Sequence, residues 1–186
     1  MRVITGSVRG RKLKEPAGKD IRPTTDKVKE SVFNIIQFRV PGARVLDLFA
    51  GTGQMGIEAL SRGAAEAVFV DRSREAVKLV RDNLAATGLA DRARVVNADS
   101  LAYLKSGGKF DVVYMDPPYE GDTLDRALAE AAAVDILRES GIILCECERE
   151  KTLAAPGKGY EQIGEYRYGR IKIVAFGRTD ETARGT

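Results

Sequence analysis

The chain has 186 residues, 44% of them hydrophobic, and carries 30 Lys or Arg against 27 Asp or Glu. That is enough chain for one domain burying roughly 70% of its unfolded surface. Histidine is absent and there are two cysteines, which excludes Ser-His-Asp and Cys-His catalysis, mixed Cys/His zinc sites and a disulfide framework. No metal is expected. No apolar run approaches the ~18 residues of a membrane span, and the charged N-terminus has no signal-type apolar block, so a soluble cytoplasmic protein without membrane contact is expected.

The positive charge is concentrated at one end. Residues 1–22 hold seven Lys or Arg against Glu15 and Asp20, a net +5, while the remainder sums to −2. A local basic segment of this kind is suited to phosphate, and Arg2, Arg9, Arg11, Lys12 and Lys14 are the candidates. Val3, Ile4, Val8, Leu13 and Ile21 are interspersed with these charges, and Gly6, Gly10 and Gly18 supply turns, which predicts a short N-terminal β-hairpin.

Beyond it the chain alternates. "TTDKVKESVFNIIQF" places Val28, Val32, Ile35 and Ile36 at helical spacing behind a Thr25 cap. "ARVLDLF" reads as a strand, "GQMGIEALSRG" as a helix stopped by Gly63, "EAVFVD" as a strand, and "SREAVKLVRDNLAATG" as a helix capped by Ser73 and stopped by Gly88. There follow the strand "ARVVNAD", the short helix "SLAYLKSG", the strand "FDVVYMD", the stretch "DTLDRALAEAAAVDILRESG", read as helical either throughout or with a break, the strand "GIILCECE", and a hairpin over "YEQIGEYRYGRIKIVAFG" that turns at "YG". Apolar strands separated by helices predict a mostly parallel sheet covered on both faces, with an antiparallel pair appended. One α/β domain is expected over residues 23–178, preceded by the basic extension 1–22 and followed by a frayed tail at 179–186.

Two loops carry the chemistry. "VLDLFAGTGQMG" contains Gly51-x-Gly53-x-x-Gly56 between a strand and a helix, the place in such a fold where glycines let a nucleoside-like ligand approach the backbone. Asp71, ending the next strand, suits a ribose diol. Asp47 discriminates between cofactors by charge. A carboxylate ~6 Å from a pyrophosphate would cost roughly 3 kcal/mol at an effective dielectric of 20, whereas the ammonium and sulfonium of S-adenosylmethionine would attract it. The competing role for Asp47 is a hydrogen bond to the loop's own amides. Asp99 is a candidate to accept from the adenine amino group, and Phe49 is grouped with the donor-binding residues although packing in its apolar strand also accounts for it.

The second loop is Asp116-Pro117-Pro118-Tyr119, where two prolines end a strand. An exocyclic nucleobase amine is a poor nucleophile because its lone pair is delocalised into the ring. If Asp116 and a backbone carbonyl accept its hydrogens and Tyr119 stacks on the base, the nitrogen is aimed at a donor methyl. An NAD-dependent oxidoreductase would use the same glycines but leaves Asp47 and this tetrapeptide without a role. An adenine-N6 methyltransferase acting on RNA or DNA, and a non-catalytic RNA-binding module, are the remaining alternatives. Cys145 and Cys147 read as small buried side chains and Met115 as packing.

Taken together, "RPTTDKVKESVFN", "DLFAGTG", "DPPY" and "YGRIKIVAF" resemble the bacterial small-subunit rRNA methyltransferase D family, over about residues 2–176. The resemblance implies a class I, Rossmann-like S-adenosylmethionine-dependent methyltransferase with a mostly parallel seven-stranded sheet, acting on N2 of a guanine in 16S rRNA of an assembling small subunit. It implies that Asp116, Pro117, Pro118 and Tyr119 form the catalytic loop. Arg22 and Thr24, at the entry to the first helix, join Asp47, Phe49, Gly51, Gly53, Asp71 and Asp99 as candidates for holding the donor, and Arg22 serves equally as an RNA contact. The turn Tyr168-Gly169-Arg170-Ile171 departs from the family, which has a small polar pair in place of Arg170 and Ile171. Nothing in the sequence demands a dimer, and a monomer is expected.

Overall fold

The computed structural model describes residues 1–16, 26–118, 121–157 and 159–179. Its elements are α1 (Asp26–Ile35), β1 (Arg44–Asp47), α2 (Gln54–Ser61), β2 (Glu66–Asp71), α3 (Arg74–Thr87), β3 (Ala93–Asn97), α4 (Ser100–Lys105), β4 (Phe110–Met115), α5 (Thr123–Ala133), β5 (Leu137–Glu148), β6 (Tyr160–Tyr168) and β7 (Ile171–Arg178). The seven strands form one sheet in the order β3-β2-β1-β4-β5-β7-β6. β1 to β5 run parallel, β7 is antiparallel to β5, and β6 is antiparallel to β7. This is the mostly parallel doubly wound sheet that the alternating pattern predicts.

Local chemistry sets the boundaries. Ser73 accepts a hydrogen bond from the Ala76 N–H and so caps α3, which Gly88 ends in a left-handed conformation. Two apolar clusters cover the sheet's faces, one built with α1, α2 and α3 and the other with α4 and α5. No helix among the described residues is long and apolar enough to cross a membrane.

One predicted helix is shorter than expected. α5 stops at Ala133, Asp135 takes a left-handed φ of 51°, and Leu137–Ser140, expected to be helical, begin β5 instead, with Leu137 beside Phe110. The three residues Arg138, Glu139 and Ser140 are exposed, so this part of the strand lacks the apolar pattern that identifies the rest.

The basic N-terminus folds back in a tight loop with a single bridging pair, Arg2 and Lys12. The Val3 and Gly10 amides donate to the Arg11 and Val3 carbonyls, at 2.9 Å each, while the Val3 and Leu13 side chains are buried. Most of its anchorage is to α2. Glu58, fully buried, accepts from the amides of Ile4 and Thr5 at 2.8 and 3.0 Å and pairs with Arg62 at 2.8 Å. Buried Lys29 of α1 donates to the Arg2 carbonyl at 2.6 Å. A carboxylate satisfied by backbone amides and a guanidinium is tolerated in the interior because both of its oxygens are hydrogen-bonded and its charge is paired.

Candidate active site

The glycine loop and the Asp116 turn meet at the carboxyl ends of β1 and β4, neighbours at the centre of the sheet. Gly51 and Gly53 both have positive φ, 53° and 77°, conformations that glycine adopts without a Cβ penalty. Gly56 is helical and serves packing instead: a Cβ there would lie 2.3 Å from Cε1 of the buried Phe69 ring. The three glycines of the fingerprint therefore perform different tasks, two shaping the loop and one letting α2 sit on the sheet.

Asp47 is 2% exposed and accepts from the Gly56 N–H at 3.1 Å, at the first turn of α2. The carboxylate thus serves the helix that follows the loop, the competing role weighed for it on sequence. Burial pushes its carboxyl up to about 7, against the pull of the Gly56 amide and with a further push from Asp71. Folding accordingly favours the protonated form, so the stability contributed is full below about 4 and is lost as pH rises to about 7. Asp47→Asn keeps an acceptor for Gly56 and removes the titration. In urea denaturation at a series of pH values, its stability is expected to gain on the wild type by up to about 4 kcal/mol between pH 4 and 8; a gap that does not vary with pH would show that Asp47 is ionised throughout.

Asp71 is also occupied by backbone, accepting from the amides of Gly51 at 2.9 Å and Ser73 at 2.8 Å. It ties the loop to the start of α3 and retains lone pairs, since a carboxylate has about four acceptor sites. Asp99 is exposed and caps α4 through the Ala102 N–H. Phe49 is half-buried against the α4–α5 cluster.

Asp116 follows the last residue of β4, half-buried, with Pro117 buried and Pro118 exposed. Tyr119 lies outside the described residues, as do Arg22, Thr24 and the Thr25 cap. Met115 is paired with Cys145, so Asp116, just past the end of β4, comes level with Glu146 inside β5. Glu146, 4% exposed, accepts from the Tyr114 hydroxyl at 2.5 Å. It lines a shallow concavity with Pro117, Pro118, Gly121, Leu124, Cys147, Glu148 and Lys151. Burial, and after it the charges of Glu146 and Asp47, hold the Asp116 carboxyl well above the usual carboxylate range.

Three acidic side chains, at the end of β1, just past the end of β4 and within β5, therefore lie together at one edge. Such a cluster disfavours a pyrophosphate and suits a cationic ligand or an amine that donates hydrogen bonds. Glu146 escaped sequence reasoning, although a lone acid inside the run "IILCE" was a usable signal.

Of the basic candidates, Arg2 pairs with Asp26 at 3.2 Å and Lys14 with Asp82 at 3.1 Å. Arg9, Arg11 and Lys12 are exposed, with no ion pair to any described residue. Cys145 and Cys147 are buried free thiols, and burial raises both above the ordinary thiol range, so they are packing rather than reactive groups.

A family model described as "Conserved hypothetical protein 95" matches residues 1–177. The chain is 45% identical over 157 residues to the Bacillus subtilis protein YlbH, covering 82% of this chain and 85% of that one. It is 38% identical over 154 residues to the ribosomal RNA small subunit methyltransferase D of Escherichia coli, covering 82% and 77%. The solved structure of Escherichia coli yhhF superposes with a TM-score of 0.86 at 35% identity, covering 96% and 97%. With this match along nearly its whole length and the glycine loop and Asp116-Pro117-Pro118 turn at one sheet edge, the chain belongs to the small-subunit rRNA methyltransferase D family.

Proposed function

We propose that the protein transfers a methyl group from S-adenosylmethionine to the exocyclic N2 amine of a guanine in 16S rRNA, with an assembling small ribosomal subunit as substrate, in the cytoplasm. The observation that carries this reading is the acidic cluster of Asp47, Asp116 and Glu146 beside the positive-φ glycine loop. A relative at 38% identity bears the name of a small-subunit rRNA methyltransferase.

The residues present fit the methyl donor, because buried carboxyls and a glycine-opened loop suit a cationic ligand with a nucleoside end. Gly51 and Gly53 would hold it, with Asp71 and Asp99 toward its nucleoside, and Phe49, Arg22 and Thr24 around it. When bound, S-adenosylmethionine supplies a methyl already activated by its sulfonium, so the protein's task is orientation. Asp116 and the Pro117 carbonyl accept the amine hydrogens and direct the lone pair, while Pro118 fixes the turn and Tyr119 stacks on the base. The Asp116 carboxylate takes the proton released as the new N–C bond forms. For this it must be ionised, which burial opposes first and the charges of Glu146 and Asp47 oppose further.

The basic extension grips rRNA backbone, and a base turned out of its stack enters the edge of the sheet. Changing Arg9, Arg11 and Lys12 together to Ala is expected to lower the slope of log Kd against log salt by about 2 for 16S rRNA. An unchanged slope would remove these side chains from the interface. The reading as a whole is tested by offering 30S subunits lacking the modification, naked 16S rRNA and duplex DNA in competition, with tritiated methyl donor. Label in the subunits or the rRNA is expected, and label confined to DNA, or none, would overturn it.

A further inference from the structure

Among the described residues, Asn83 of α3 is the one side chain that ties the basic extension to the glycine loop by hydrogen bonds to the backbone of both. It is 0% exposed. Its Oδ1 accepts from the Lys14 N–H at 2.7 Å, and its Nδ2 donates to the Lys14 carbonyl at 3.2 Å and to the Thr52 carbonyl at 3.0 Å. Thr52 stands between Gly51 and Gly53, the two residues whose positive φ gives the loop its shape. A second and weaker tie runs the same way, from the Thr52 hydroxyl to the Met1 sulfur at 3.5 Å. Lys14 follows Leu13, which is buried, and lies two residues beyond the exposed Lys12, so the tie lies at the foot of the segment assigned to phosphate.

We propose that Asn83 is a positioning residue that couples rRNA binding on the N-terminal extension to methyl-donor binding on the glycine loop, an inference resting on the function proposed above. The physical basis is shared ordering. A loop built on two glycines has more backbone freedom to lose than the same loop without them, and its ligand must fix it. Phosphates clamped by the extension hold Lys14 in place, Lys14 holds the Asn83 amide through two hydrogen bonds, and the amide holds the Thr52 carbonyl. Donor binding then has less ordering left to accomplish, and linkage requires that the donor tighten rRNA binding by the same factor. Because the Asn83 amide is fully buried and its bond to Thr52 lies in the interior, losing that bond leaves the amide without a partner there.

The test measures the dissociation constant of S-adenosylhomocysteine, as a non-reacting probe of the donor site, with and without saturating 16S rRNA, and that of the rRNA with and without the probe. The wild type is expected to show the same tightening, about five-fold or more, in both directions. Asn83→Asp retains an acceptor for the Lys14 amide and loses the donor to Thr52, and is expected to bring both ratios to about one while rRNA affinity without the probe changes little. Thr52→Val leaves the Thr52 carbonyl in place and is expected to keep most of the tightening, which separates the Asn83 route from the Met1 contact. Thermal melting with each variant establishes that it is folded.

A ratio of one in the wild type, or full tightening in folded Asn83→Asp, would overturn the coupling. Methylation of rRNA by that same wild-type protein would show that only the coupling had failed, whereas absence of both rRNA binding and methylation would reject the functional reading itself.

Discussion

Replacing Asp116 with Ala is expected to lower kcat for rRNA methylation by about 10²- to 10⁴-fold, the range associated with a positioned proton acceptor. Affinity for S-adenosylhomocysteine and for rRNA should stay within a few-fold. The reasoning is electrostatic as well as geometric. A carboxyl held well above its ordinary range by burial and by Glu146 and Asp47 is an unfavourable place for negative charge, and its removal should leave the fold as stable as before, or more so, above neutral pH. Stability retained and turnover lost is the signature of a group kept for chemistry. Asp116→Asn, which keeps the shape and one acceptor but not the charge, should also be strongly impaired. Single-turnover rates with pre-bound rRNA make the comparison, and a kcat within a few-fold of wild type for both variants would take Asp116 out of the transfer step.

Gly56→Ala is expected to be the most damaging change in the glycine loop for stability, by about 1–3 kcal/mol. The new Cβ would meet Phe69 Cε1 at 2.3 Å and Cζ at 2.6 Å. The ring is fully buried between α2 and the sheet and has nowhere to turn. Relief requires α2 to lift, and the Gly56 amide, which binds Asp47, would move with it. Gly51→Ala provides the contrast. Its φ of 53° is left-handed, but the nearest atom to an added Cβ is 4.0 Å away, so only the conformational cost of about 1 kcal/mol applies. Urea denaturation of the two variants at one pH separates the cases. Equal losses would show that α2 accommodates the methyl group without displacement.

The fold was legible where local chemistry and period agree. Ser73 and Gly88 delimit α3 because a hydroxyl cap and a left-handed glycine are sequence-local devices, and the two prolines after Asp116 end β4 for an equally local reason. Leu137–Ser140 were not legible as strand, since exposed Arg138, Glu139 and Ser140 present no alternation and the pairing with Phe110 is made across the sheet.

The same division runs through the site. Glycines and prolines announced the two loops, but the partners of their polar groups did not. Asp47 reaches Gly56, nine residues on, whereas Asn83 reaches Lys14 across 69 residues and Glu58 reaches Ile4 across 54. Side-chain to backbone bonds over such distances carry no period and no motif. Glu146 is a related case: an acid inside an apolar run marks a position worth noting, but its partners appear only when β4 is laid beside β5.

The central claim, that this edge of the sheet methylates the N2 amine of guanine, is tested most directly by identifying the labelled nucleoside. Small subunits lacking the modification are incubated with the protein and tritiated S-adenosylmethionine, and the rRNA is digested to nucleosides and separated. The account predicts label in N2-methylguanosine, abolished by Asp116→Ala. Label in N6-methyladenosine would contradict the assignment of guanine while retaining amine chemistry, and label in a base carbon or a ribose hydroxyl would contradict the account of the site.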